Sequence, residues 1–161
     1  MREPLITPAG LLRVSGELDR LKTAGRREIA SRLRDALATE ADPSANADYQ
    51  FAREEQAMLE ARIARLEERL GAARVVEPDN ADDVVDLGEC VRLRNVDTGA
   101  RHKYELVGSL ESDPRSGRIS AESPLGRALL GRRKGEIAAV EAPKGRLQFK
   151  ILRIEAATTS T

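Results

Sequence analysis

The sequence predicts an α+β protein, in which an N-terminal antiparallel coiled-coil helical hairpin is followed by a small antiparallel β domain with one short helix. Two observations lead to this prediction. Apolar residues recur every three or four positions through the first half, and after a polar stretch at 77–83 they recur every second position. One strong turn signal, at 41–49, interrupts the first pattern. We therefore expect a hairpin over 1–76, a linker over 77–86, a β domain over 87–157 and a tail over 158–161.

Two long helices are predicted before the linker. Thr7 followed by Pro8 fits an N-cap and the first helical position. In the first helix the apolar spacing slips by one residue after Gly25, and in the second helix steps of four and three form a heptad seam. The predicted seam residues are Val14, Leu18, Leu21, Gly25, Ile29, Leu33 and Leu37, and then Ala52, Gln56, Leu59, Ile63, Leu66, Leu70 and Ala73. Such a hairpin is also typical of a structural or oligomerising coiled coil.

Residues 41–49, Ala-Asp-Pro-Ser-Ala-Asn-Ala-Asp-Tyr, join the two helices and form the tip of the hairpin. The turn contains Asp42, with Glu40 before it and Asp48 after it. A carboxylate at the end of a projecting hairpin can reach into another molecule. A local interpretation is also open, because Asp42 followed by Pro43 fits the N-cap and first position of the second helix.

The second half contains the predicted strands and one short helix. Asp97, Thr98 and Gly99 form a hairpin turn. Ser123 and Pro124 fit the cap and first position of a short helix over 125–130. The strands are expected at 90–94, at 104–107, around Ile119, at 136–141 and at 147–154.

The overall composition excludes several classes of protein. Lys and Arg (27) balance Asp and Glu (27) among 161 residues, so a polyanion contact would require a local patch. Charged residues make up 34% and aromatic residues 2%, which is typical of long solvated helices. The single cysteine, Cys90, excludes a disulfide framework and a cysteine metal cluster. Neither a signal-peptide pattern nor a membrane-length apolar run occurs, so we expect a soluble, cytoplasmic protein without membrane contact.

An ordered set of motifs runs through both halves of the chain. The set consists of 6–10 (Ile-Thr-Pro-Ala-Gly), 17–22 (Glu-Leu-Asp-Arg-Leu-Lys), the tip, 53–56 (Arg-Glu-Glu-Gln), 97–99, Tyr104 with Val107 and Gly108, 119–120, and 123–131 (Ser-Pro-Leu-Gly-Arg-Ala-Leu-Leu-Gly). In this order the motifs resemble the bacterial Gre transcript-cleavage factors, GreA and GreB, over nearly the whole chain. The resemblance implies a coiled-coil hairpin and an FKBP-like C-terminal domain.

The resemblance also implies a function. In this family the C-terminal domain docks at the rim of the secondary channel of bacterial RNA polymerase, and the hairpin passes down the channel to the 3′ end of the nascent RNA. The polymerase itself cuts backtracked RNA, and two tip acids of the factor help to hold a second Mg²⁺. The implied protein is a monomeric transcription elongation factor. It is an accessory factor and not an enzyme, has no cofactor of its own, shares Mg²⁺ with the polymerase and does not bind DNA directly.

The tip departs from the family pattern, Gly-Asp-Leu-x-Glu-Asn-Ala-Glu-Tyr, at one acid. Asp42 stands at the first acid position, so the resemblance assigns it the catalytic and metal-binding role, whereas Ala45 stands at the second. Asn46 and Tyr49 match the pattern, and with Arg53 they are the expected contacts to RNA or polymerase. The expected polymerase-docking residues are Ser123, Pro124 and Leu125.

Several interpretations stay open. Because of Ala45, the alternative to a cleavage-stimulating factor is a cleavage-deficient Gre homologue that occupies the channel and modulates or inhibits transcription. Glu40 or Asp48 would compensate only if the loop were rearranged. Arg53 could belong to a solvated helix face, and residues 123–131 could simply cover the sheet. A peptidyl-prolyl isomerase is disfavoured because the β half has few aromatic residues to line a pocket, and a scaffold coiled coil is the last alternative.

Overall fold

The computed structural model describes residues 3–79 and 82–157, and the expected tail at 158–161 lies outside them. The chain divides into two compact units, one formed by Val14–Ala72 and the other by the described residues before and after it. The first is a helical hairpin and the second contains a mostly antiparallel sheet, which confirms the predicted fold class. The division differs from the expected boundaries, because the residues before Val14 pack with the second half of the chain.

The first arm of the hairpin is built from α1 (Pro8–Arg20), a π-helical turn (Leu21–Gly25) and α2 (Arg26–Thr39). The backbone N–H of Gly10 donates to Thr7 Oγ1 at 3.0 Å, so Thr7 is the predicted N-cap. A π turn contains about one residue more than an α turn. The π turn lies next to the one-residue slip in the apolar spacing. Its extra residue compensates for the slip, so the apolar residues before and after it stay on the same face of the arm.

The second arm is α3 (Ala47–Ala72). Val14, Ala52 and Ile63 are buried as the seam predicts, but Ala36 is buried in place of Leu37, which is 38% exposed. The seam prediction is therefore wrong at Leu37, because the drift of repeated four-residue steps turns that side chain away from α3. Ion pairs link the two arms at the surface: Glu17 with Arg62, Lys22 with Glu67, Arg26 with Glu60, and Arg32 with Glu55.

A short parallel pair, which the sequence did not predict, joins the two ends of the chain that flank the hairpin. Strand β1 (Leu5–Ile6) pairs with β2 (Arg74–Val75). The carboxylate of Glu111, a fully buried side chain, accepts hydrogen bonds from the backbone N–H and the hydroxyl of Thr7 and from the backbone N–H of Gly108. Arg13 lies 3.3 Å from the same carboxylate. This network anchors the N-terminal segment in the sheet unit.

The main sheet has five strands in the order β5-β4-β3-β7-β6. The β3–β4 hairpin turns at 97–99 as predicted, but β5 pairs with β4 in parallel, so the sheet is not wholly antiparallel. The short helix α4 (Pro124–Leu129) covers the sheet with the fully buried Leu129. None of the described helices is long and apolar enough to cross a membrane. The strands are β3 (Glu89–Asn95), β4 (Arg101–Val107), β5 (Arg118–Ser120), β6 (Ile137–Ala142) and β7 (Gly145–Ala156).

Candidate functional site at the hairpin tip

Asn46 holds the two arms of the hairpin together at the tip. Its side-chain amide donates to the backbone carbonyls of Ala36 and Glu40, both at 2.7 Å, and its Oδ1 accepts from the backbone N–H of Tyr49 at 2.9 Å. Asn46 therefore satisfies the last carbonyls of α2 and caps the start of α3. The interpretation of Asp42 as the N-cap is wrong, because α3 begins at Ala47 and Asn46 is its cap.

Asp42 is exposed at the outer side of the turn. Its Oδ1 accepts hydrogen bonds from the hydroxyl of Ser44 at 2.7 Å and from the backbone N–H of Ser44 at 3.0 Å. The Ser44 hydroxyl, and then its backbone N–H, lower the pKa of Asp42 below its usual value. Within the described chain Oδ2 accepts no hydrogen bond. Asp42 thus offers an ionised carboxylate with one oxygen available for a cation.

The other tip acids are placed differently. The Glu40 carboxylate accepts from the backbone N–H of Asp42 at 3.0 Å, so one of its oxygens stabilises the turn. Asp48 lies in the first turn of α3 and borders a shallow cleft of about 350 Å³ that Asp35 and Phe51 also line. Ala45 is exposed and supplies no ligand at the second acid position. Among the described residues, no group of three or more metal-binding side chains forms a site.

The remaining predicted contacts lie in different parts of the chain. Arg53 is exposed and donates to the Gln56 side chain at 3.2 Å, while Tyr49 is half-buried. Asn46 is only 6% exposed and its polar atoms are used within the tip. Contact of these three residues with RNA or polymerase stays a prediction.

The expected docking residues lie at the start of α4. Ser123 Oγ accepts from the backbone N–H of Gly126 at 3.1 Å and donates to the carbonyl of Ser120 at 2.6 Å, so it is the predicted N-cap. Pro124 is exposed, and Leu125 packs against the core. The cap and the packing are structural roles, and docking by this segment stays a prediction.

Comparison with known proteins identifies the family. A family model described as "Transcription elongation factor, N-terminal" matches residues 4–75, and one described as "Transcription elongation factor, GreA/GreB, C-term" matches 79–156. The chain belongs to the GreA/GreB family. The resemblance seen in its motifs is therefore confirmed.

Curated relatives agree with the assignment of this chain to the family. Transcription elongation factor GreA of Amoebophilus asiaticus is 44% identical over 149 residues, which cover 92% of this chain and 94% of the relative. GreA of Acetivibrio thermocellus is 42% identical over 154 residues, which cover 95% of this chain and 96% of the relative. Among solved structures, GreA factor homolog 1 (Gfh1) of Thermus thermophilus is 30% identical with a TM-score of 0.42, covering 96% of this chain and 100% of Gfh1.

The sequence analysis missed one structural role at the tip, the hydrogen bonds that Asn46 makes to both arms of the hairpin. Asn46 was expected to contact RNA or polymerase, which stays a prediction, and its side chain also joins α2 to α3. The signal was present, because Asn is among the preferred N-cap residues and stands directly before the long helical pattern that starts at Ala47.

Proposed function

We propose that this GreA/GreB family member binds the secondary channel of bacterial RNA polymerase and stimulates the polymerase's own cleavage of backtracked RNA. It acts there as a monomeric, cytoplasmic accessory factor, and the enzyme is the polymerase. The observation that supports this most directly is Asp42, an exposed and ionised carboxylate on a braced turn at the end of the hairpin. The relatives named transcription elongation factor GreA support the same role.

The chemistry follows from the ligand preferences of Mg²⁺. This cation takes one or two carboxylates together with phosphate and water oxygens, and a second metal stabilises the attacking or the leaving oxygen in a phosphodiester cleavage. Asp42 Oδ2 would supply one oxygen to the Mg²⁺ shared with the polymerase. The hydrogen bonds from Ser44 hold the carboxylate before the metal arrives, which reduces the entropy lost on binding.

A second candidate function is a channel-binding factor without cleavage activity, which modulates or inhibits transcription. Ala45 is the observation that favours it, because the exposed methyl group leaves the second ligand position to water. Glu40 lies before Asp42 in the turn and does not occupy the position of Ala45, and one of its carboxylate oxygens accepts a hydrogen bond from the backbone N–H of Asp42.

An RNA-cleavage assay on stalled, backtracked complexes tests both candidates. If Asp42 is a metal ligand, Asp42→Asn abolishes stimulation although the amide oxygen still accepts from Ser44. Ala45→Glu should increase cleavage at subsaturating Mg²⁺ by roughly 10- to 100-fold, which corresponds to about 1–3 kcal/mol. The gain should shrink at high Mg²⁺, where mass action fills the site.

Binding to polymerase is measured in parallel by competition with a known secondary-channel ligand. An Asp42→Asn variant with full cleavage activity would rule out the metal role. A native protein that binds but does not stimulate, and that Ala45→Glu activates, would favour the second candidate. Simultaneous binding of protein and competitor would contradict both.

A further inference from the structure

The outer face of the five-stranded sheet carries six cationic side chains in two cross-strand rows. On β3, Val91 and Leu93 point into the core, and Arg92 and Arg94 point to the opposite face. Arg94 is paired with Arg101 on β4 and with Lys150 on β7, and Arg92 is paired with Lys103 and with Arg153. We refer to these six residues, Arg92, Arg94, Arg101, Lys103, Lys150 and Arg153, as the basic face.

An irregularity in the sheet assembles this face. Lys150 and Arg153 are three residues apart on β7, a spacing that would normally place them on opposite sides of a strand. The register between β3 and β7 shifts between Arg92 and Leu93, and Leu152 is left without a partner on β3. This β-bulge brings both cations to the outer face. Five of the six side chains are exposed, and Lys150 is half-buried.

The cations of the basic face are poorly neutralised. Glu155 forms ion pairs with Arg92 and Arg153, in which the nitrogen–oxygen distances are 3.1 and 3.0 Å. Within residues 3–79 and 82–157 the other four cations form no ion pair. Like charges directly opposite each other destabilise a sheet, so the row of Arg101, Arg94 and Lys150 lowers the stability of the fold that contains it. An anionic partner would offset that repulsion.

The side chains of the face favour one kind of anion. Single-stranded nucleic acid is usually bound by cations together with aromatic side chains that stack on the bases. In the described part of the sheet, His102 and Tyr104 are paired with Leu93 and Val91 and so lie on the core side, and Phe149 is buried there. Duplex DNA stacks its bases internally and presents a regular array of phosphates, which cations alone can bind.

We propose that the basic face binds the phosphate backbone of duplex DNA without sequence preference. This differs from the expectation that the protein does not contact DNA directly. The total charge of zero does not oppose it, because only two acids, Glu105 and Glu155, share the outer face of β3, β4 and β7 with the six cations. The proposal does not rest on the chemistry of the tip, since it concerns binding by the full chain in the absence of polymerase.

Fluorescence anisotropy of a labelled DNA duplex of mixed sequence tests the proposal. The native chain should bind more weakly as salt increases, with a slope of log K against log salt of about −0.9 for each phosphate contacted. The triple variant Arg94→Gln, Arg101→Gln and Lys150→Gln should reduce the magnitude of this slope by about 3 and weaken binding more than 100-fold at about 0.1 M salt. A matched control removes three other exposed cations of the sheet unit: Arg115→Gln, Arg127→Gln and Lys144→Gln. The control changes the net charge by the same amount but leaves the basic face intact, so it should bind within about threefold of the native chain.

The melting temperature separates a loss of binding from a loss of folding. The triple variant should melt at or above the native temperature, because it removes repulsion between paired cations. Equal weakening in both triple variants would overturn the proposal in favour of a general charge effect. Tighter binding to the single strand of the same sequence would overturn the duplex assignment. A further outcome is that the chain does not bind DNA but binds polymerase in a salt-sensitive way that is lost only when Arg94, Arg101 and Lys150 are replaced. That outcome would overturn the DNA assignment and would assign the basic face to an acidic protein surface.

Discussion

Replacement of Asn46 by Ala should loosen the tip by a calculable amount. The substitution removes two donated bonds of 2.7 Å, which leaves the carbonyls of Ala36 and Glu40 without this donor. Each loss costs about 1 kcal/mol. Loss of the N-cap bond to Tyr49 adds about 1 kcal/mol. The free energy of unfolding should therefore fall by about 3 kcal/mol, or the melting temperature by roughly 6–12 °C for a chain of this length.

Thermal and urea denaturation followed by circular dichroism at 222 nm measures this change. Asn46→Asp is the informative variant, since a carboxylate still caps α3 but cannot donate to the two carbonyls. It should nevertheless be at least as destabilising as Asn46→Ala at neutral pH, because the charged oxygen would face the carbonyl oxygens of Ala36 and Glu40 without a proton to share. Gln50→Ala is the matched control, because it removes one exposed bond to the carbonyl of Pro43 and should cost less than about 0.5 kcal/mol. Equal stability of the Asn46→Ala and Gln50→Ala variants would refute the bracing role.

Two further predictions concern the sheet unit and the first helix. A Cβ on Gly10 would lie 1.8 Å from Glu111 Oε1, so Gly10→Ala should cost more than about 2 kcal/mol. Gly16→Ala, in the same helix, meets nothing closer than 3.6 Å and should stabilise by about 1 kcal/mol. Denaturant midpoints measure both changes, and similar effects would show that the Glu111 contact is unimportant. Burial raises the pKa of Glu89; the hydrogen bond from the backbone N–H of Asp86 opposes this shift, and the nearby charges of Asp86, Asp82 and Asp79 add to it. The folded state favours the protonated form of the Glu89 carboxyl. The stability that this preference contributes is therefore complete below the unfolded pKa of about 4.3, and it is lost as pH rises through the pKa of the folded state. Glu89→Gln should therefore stabilise at pH 7 relative to pH 4, and a pH-independent difference would contradict this.

Local patterns predicted much of the fold. The caps Thr7 and Ser123, the turn at 97–99 and the seam through Ile63 each depend on residues close in sequence, and each is present. Even the one-residue slip has a local structural counterpart, the π turn. Resemblance of motifs to the family gave the overall architecture and the identity of the tip.

The features that could not be predicted depend on distant residues. Strand β1 is two residues long and has no periodicity of its own, and its partner β2 lies beyond the whole hairpin. The basic face appears only when the register of three strands is known, because its residues are scattered from 92 to 153 and a bulge brings two of them together. Asn46 was predicted as a contact residue because its identity was matched to the family before its hydrogen bonds could be seen.

The anchor between Thr7 and Glu111 has a consequence for the order in which the chain folds. The two residues are separated by 104 positions, so a chain synthesised at about 5–20 residues per second displays Thr7 for roughly 5–20 s before its partner is made. The hairpin, whose contacts are local, can form within that interval. Its formation places Leu5 near Arg74 and shortens the loop that the anchor must close. The first residues to leave the ribosome are therefore among the last to reach their final positions.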